Sequence, residues 1–188
     1  MFRDVSSLFA SVLRLKILTF FVRQEEVWAS AETVATTLGA TKQSVSRELA
    51  SLARLGILRT RRASRTVSYS SNERMPLYQP LREFAGSALT PDRREIARAF
   101  SGVRGVTLVV ITGLLTNESK SPVEVLVVSR RPDVKKIERA IKKIETLAAL
   151  PMRYAVLEAG EYHERRQAYD RLLRDVFEYR HEVILERS

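Results

Sequence analysis

Apolar positions in the first half of the chain recur at helical spacing and then at strand spacing. Leu8, Val12, Leu15, Leu18 and Val22 predict an amphipathic first helix over about residues 4–23. Residues 26–29 read as a short strand. Ser30 stands where an N-cap belongs, ahead of a two-turn helix over 31–38 that turns Val34 and Leu38 inward. Gly39 supplies the positive φ that stops it, and Thr41 caps a longer helix over about 42–55 with Val45, Leu49 and Leu52 buried. Gly56 ends that helix. Two β-prone runs, 57–61 and 66–70, follow, joined by Arg62, Ala63, Ser64 and Arg65 as a hairpin tip.

Pro76, Pro80 and Pro91 mark a change of organisation. Leu77, Leu81 and Phe84 share a face, so 77–88 predicts a connecting helix. Thr90 is placed to cap a further helix with Pro91 at its first position. Beyond it, β-branched runs at 106–112 and 123–128 and a third strand at 152–157 alternate with a long helix over 133–150 carrying Ile137, Ile141, Ile144 and Leu147, and an outer helix over 161–177 leads to a last strand at 182–185. Strands alternating with helices predict a small α/β domain. The division expected is 1–75 for the helical and hairpin domain, 76–89 for the connecting helix and 90–188 for the α/β domain, an α+β chain.

Charge sharpens this picture. The chain carries a net +10, and residues 1–84 hold 13 basic and 7 acidic side chains, so the excess is denser in the first half. Such an excess favours a polyanionic partner, because each phosphate neutralised releases condensed counterions. There is no cysteine, which removes disulfides and thiolate metal sites. His163 and His181 begin no metal-ligand spacing. Neither a metal nor a cofactor is expected. No apolar run approaches the length needed to span a bilayer, and Arg14 and Lys16 interrupt the one near the start, so no membrane association and a cytoplasmic location are expected.

The strongest functional signal lies in AETVATTLGATKQSVSRELASLARLGIL, residues 31–58. Two short helices meet across a glycine turn, and the second opens on small polar and basic residues, as a helix that reads the major groove requires. With Val45, Leu49 and Leu52 facing inward, Gln43, Ser44 and Arg47 face outward. Gln is suited to adenine and Arg to guanine, each through two hydrogen bonds to one base. Thr41, Lys42 and Ser46 are suited to phosphate oxygens. Arg59, Arg61, Arg62 and Arg65 then fall within one hairpin, as a wing along a minor groove or backbone would need.

The stretch Leu8 to Tyr69 resembles the winged-helix repressors of the ArsR and MarR type in its first helix (LFASVLRLKIL), its recognition core (SVSRELASLARLGIL) and its basic wing. The resemblance implies a transcriptional regulator acting as a homodimer on a pseudo-palindromic duplex. Two dimer seams are open: the first helix with Leu8, Val12 and Leu15, or the α/β half. ArsR-type metal sensing is not carried over, since its ligands are missing.

The order of elements over 90–188 resembles the minimal polymerase-β-like nucleotidyltransferases. In that family a Gly-Ser holds a triphosphate, and an Asp-x-Asp pair with a third Asp binds two magnesium ions. Here Gly113-Leu114 stands for Gly-Ser, Pro122 and Glu124 for Asp-x-Asp, and Arg153 for the third Asp. The expectation is a domain that performs no nucleotidyl transfer and serves dimerisation or the sensing of a nucleotide or other small effector, with Glu124 as an exposed strand residue. Lys135, Lys136, Lys142 and Lys143 are expected on a solvated face paired with Glu138 and Glu145. Two rival readings are an active nucleotidyltransferase guided by its winged helix, and one component of a toxin–antitoxin pair.

Overall fold

A computed structural model describes residues 11–24, 26–88, 90–118 and 120–187. Among these the chain forms eight α-helices and two sheets, an α+β arrangement. Two compact units divide it: Met1–Thr90 with Glu145–Leu150, and Pro91–Ile144 with Pro151–Ser188. No helix among the described residues is long and apolar enough to cross a membrane.

The first unit runs α1 (Val12–Val22), β1 (Ala29–Ser30), α2 (Ala31–Leu38), α3 (Lys42–Arg54), β2 (Leu58–Ala63), β3 (Thr66–Ser71) and α4 (Tyr78–Ala88). Its sheet has the order β1-β3-β2 and is antiparallel throughout. Helix ends follow from the sequence. The Ser30 hydroxyl accepts from the Thr33 amide at 3.2 Å and that of Thr41 from the Ser44 amide at 3.3 Å, each satisfying an amide that the helix leaves without a partner. Gly39 closes α2 at φ 62°, a left-handed conformation that a side chain would strain. Val34, Leu38, Val45, Leu49 and Leu52 all lie in the core beside Phe20 and Phe21. Each such side chain contributes about 1.5–3 kcal/mol by leaving water.

Three expectations need correction here. The first helix is not amphipathic, since Ile17, Leu18, Phe20, Phe21 and Val22 are buried together with Leu15. It is hydrophobic nearly all round because α2, α3, α4 and β3 all pack on it. Leu15 is consequently unavailable as a dimer seam: it is 1% exposed and packs with Val22, Tyr78 and Ala85. Leu8 lies outside the described residues. The first strand is Ala29–Ser30, not 26–29, because only these residues pair with Tyr69 and Ser68. In α4 the inward residues are Tyr78 and Ala85, with Leu81 and Phe84 partly covered, while Leu77 is 64% exposed and precedes the helix.

The second unit runs α5 (Arg93–Ala99), β4 (Val106–Ile111), a 3-10 turn (Gly113–Thr116), β5 (Val125–Ser129), α6 (Val134–Ala148), β6 (Tyr154–Glu158), α7 (Ala159–Gln167), α8 (Arg171–Glu178) and β7 (Glu182–Glu186). The sheet order is β6-β5-β4-β7. Only β5 and β6 are parallel, with α6 between them in the chain, as a parallel pair requires. Every residue of β5 is buried, so its run of Val and Leu needs no polar alternation. Asp92, not Thr90, caps α5: its carboxylate accepts from the Arg94 amide at 2.9 Å, and Glu95 accepts from the Asp92 amide at 3.1 Å. This reciprocal box moves the start of the helix past Pro91. The expected outer helix is two helices, because Tyr169 turns left-handed at φ 51° and Asp170 opens a new N-terminus by accepting from the Leu172 and Leu173 amides.

Candidate nucleic-acid interface

Helix α3 hides one face and offers the other. Val45, Leu49 and Leu52 are at most 1% exposed, which anchors the helix and turns Gln43, Ser44 and Arg47 to the surface, all three exposed. Ser46 is half-buried and the least accessible of the expected contacts. The first turn carries no acid, so the positive end of the helix dipole stays uncancelled for an anion. The Thr41 hydroxyl donates to Ser44 Oγ at 2.9 Å, which leaves the Ser44 proton free to be donated outward. Lys42 is less free. Its Nζ donates to Glu32 Oε2 at 2.9 Å on the surface, and this bond holds the Glu32 carboxyl below its ordinary range. Behind the helix, Arg14 Nε reaches Glu48 Oε2 at 2.8 Å and ties α1 to α3.

The hairpin tip is tighter than expected. Strands pair as far as Ala63 and Thr66, so Ser64 and Arg65 alone make the turn. Ser64 takes φ 54°, matching the right-handed twist of a two-residue hairpin. Arg59, Arg61, Arg62 and Arg65 are all exposed, and residues 58–71 contain no carboxylate. Alternation along β2 separates Arg59 and Arg61 from Arg62. Arg59 and Arg61 both lie over Trp28, with their guanidinium carbons 5.7 and 4.6 Å from its ring centre, in the range of cation–π attraction. Arg59 Nε also donates to the Ser71 carbonyl at 3.0 Å. Trp28 is the residue that sequence reasoning missed. Its only signal was its place ahead of a two-residue strand that pairs with β3, one strand away from the arginines.

In the second unit the three positions set against nucleotidyltransferase ligands come together. Gly113 sits at φ 59°, and a Cβ there would lie 3.0 Å from the Val123 carbonyl and 3.1 Å from Glu124 Oε1. Only glycine fits. Glu124, expected on an exposed strand face, is 1% exposed and precedes β5. It is buried because Arg153 answers it: Nη2 lies 2.7 Å from Oε1, Nε is 3.2 and 3.3 Å from the two oxygens, and the Arg153 amide donates to Oε2 at 2.6 Å. Arg153 Nη2 also donates to the Ser121 carbonyl at 3.1 Å. The carboxylate in turn holds the guanidinium above its ordinary value. With its oxygens taken up by a cation and an amide, Glu124 has little left to offer a metal. No group of three or more carboxylates or histidines able to hold a metal occurs among the described residues.

The lysines of α6 are exposed, as expected. Lys136 pairs with Asp133 at 3.0 Å, not with Glu138, because Asp133 stands one turn earlier where a helix side chain reaches. Comparison of the chain with protein-family models, with curated proteins and with solved structures finds no match.

Proposed function

We propose that the first unit is a winged helix-turn-helix that binds duplex DNA, and that the protein regulates transcription, as a repressor. The observation that carries this reading is the pairing of two features in one unit. Helix α3 presents Gln43 and Arg47 above a buried ridge with an acid-free first turn, and it leads into a hairpin of four exposed arginines with no carboxylate. In this reading α3 enters the major groove, where Gln43 reads adenine and Arg47 guanine. Ser44, Thr41, Lys42 and Ser46 contribute phosphate contacts at the helix start, and Lys42 does so by leaving Glu32. The arginines of β2 and the turn follow the adjacent backbone or minor groove.

The second unit acts in this reading as a nucleotidyltransferase-like scaffold that transfers nothing and serves dimerisation or ligand sensing. The Glu124–Arg153 pair supports it, since phosphoryl transfer by paired metals needs clustered acids rather than a cation in their midst. A homodimer doubles the bases read. Burial withdraws Leu15 from the first-helix seam but leaves Val12 exposed, so both seams stay open, and sedimentation equilibrium at micromolar concentration is expected to give twice the mass of one chain.

The decisive test is an anisotropy titration on duplex DNA against salt. Six or so phosphate contacts per dimer imply a loss of about a thousandfold in affinity between 50 and 200 mM salt. A flat salt response, or equal binding to single-stranded RNA, would overturn the reading.

A further inference from the structure

A second cationic site lies on the other unit, away from the hairpin in sequence and built by different elements. Arg98 in the last turn of α5, the bend at Ser101 and Gly102, and Lys136, Arg139 and Lys143 of α6 line one groove of about 330 Å³. The three α6 cations stand at positions i, i+3 and i+7, one stripe of the helix about 10 Å long. Its floor is small and apolar: Ala99, Val103 and Ala140 are all at most 8% exposed. Residues of that size leave a hollow where longer side chains would fill it.

The charge in this groove is unbalanced. Lys136 alone is answered by a close ion pair, with Asp133 at 3.0 Å. Arg139 feels the same carboxylate only at longer range, so one acid stands against the whole stripe. Arg98, Arg139 and Lys143 have no ion-pair partner of their own among the described residues, and no carboxylate lines the groove. Four like charges drawn together over an apolar floor repel one another and destabilise the unit, and low-dielectric walls focus the resulting potential into the hollow. A surface kept only for solubility spreads such charges among acids, as α7 does with its Arg165–Glu161 pair at 2.7 Å. A ligand that brings several negative charges into a span of about 10 Å relieves the repulsion, and the planar forks of Arg98 and Arg139 suit bidentate phosphate.

We infer that this groove binds a compact polyphosphate group, as carried by inorganic tripolyphosphate or by a nucleoside di- or triphosphate. The volume is at the lower end of small-ligand sites, matching such a group better than a duplex. The inference is independent of the DNA reading, because none of the groove residues belongs to the first unit.

The test is calorimetric titration of the full chain with tripolyphosphate, pyrophosphate and nucleoside triphosphates at low salt. Arg139→Ala with Lys143→Ala is expected to weaken tripolyphosphate binding by about a hundredfold, roughly tenfold for each cation removed from the phosphates. Lys135→Ala with Lys142→Ala removes the same charge from another stripe of α6 and is expected to change binding by less than about threefold. Arg139→Lys keeps the charge without the fork and should fall between the two. Tripolyphosphate and nucleotide binding equally well supports an inorganic occupant. Tighter nucleotide binding supports a base or sugar resting on the Ala99 and Ala140 floor. Equal loss in the two double variants would mean diffuse attraction and overturn the site. So would an absence of tripolyphosphate binding, including the case where duplex DNA alone responds to Arg139→Ala with Lys143→Ala.

Discussion

Arg61 in the first unit and Arg153 in the second are each held by a neighbour, and the neighbours leave their charge in opposite conditions. Arg61 lies over the face of Trp28 at 4.6 Å. An indole attracts the cation through its quadrupole and fixes its position without cancelling its charge. Arg153 lies against Glu124, with 2.7 Å between Nη2 and Oε1, and a carboxylate so close neutralises it. The first arrangement orders a cation and leaves its charge uncancelled. The second consumes the cation in keeping a buried acid satisfied. Counting basic residues treats the two alike, and only what stands next to each distinguishes them.

The largest effect expected on stability comes with none on binding. Arg153→Ala leaves Glu124 buried with its charge opposed only by an amide, and is expected to cost about 2 kcal/mol in a urea melt. That is below the 3–5 kcal/mol typical of a broken buried pair, because the Arg153 side chain is 61% exposed and water replaces part of what it gave. Its affinity for duplex DNA should stay within about twofold of the parent chain. A loss of DNA binding in Arg153→Ala at unchanged stability would erase the contrast between Arg61 and Arg153.

Next come two arginines within the proposed interface. Arg47→Ala is expected to cost about 1–3 kcal/mol on the preferred site and to relax selectivity at one base position. Arg62→Ala is expected to weaken all sequences alike and to lower the salt slope by about one phosphate. A site library that returned the same profile for both variants would remove the assignment of α3 to the groove. The smallest effect tests the platform itself. Trp28→Leu should weaken binding to every sequence by about 0.5–1 kcal/mol, the worth of an exposed cation–π interaction, with base preference untouched. Altered base preference in Trp28→Leu would show that the indole does more than position Arg59 and Arg61.

Much of the first unit is legible from its sequence because its determinants are local. Ser30, Thr41, Gly39 and Gly56 act within one turn of where they stand, and Val45, Leu49 and Leu52 repeat at the period of the helix they anchor. The exposure of Gln43 and Arg47 follows from that repeat. What escaped depends on partners distant in the chain. Glu124 reads as an outward residue of an alternating strand, and only Arg153, brought beside it by the parallel pairing of β5 and β6, makes its burial tolerable. Helix α1 hides its nature differently: Ile17, Phe20 and Phe21 stand in plain view between the residues of the assumed stripe, but a helix covered from several sides has no polar face to reveal. The cap of α5 lies two residues from its expected place because Thr90 and Asp92 both suit the role, and Glu95 decides between them.

Trp28 is the only tryptophan of the chain, and that makes it an optical gauge of the hairpin. Indole emission responds to charges close to the ring, and here two guanidinium groups lie within 6 Å of it. Light absorbed at the red edge of the aromatic band is taken up by this one side chain and no other. Any event that draws Arg59 or Arg61 away from the ring changes the colour or intensity of its emission, while events that leave the surroundings of the ring as they are do not. The hairpin therefore carries its own label, and its engagement can be followed in native protein, in real time, without a dye.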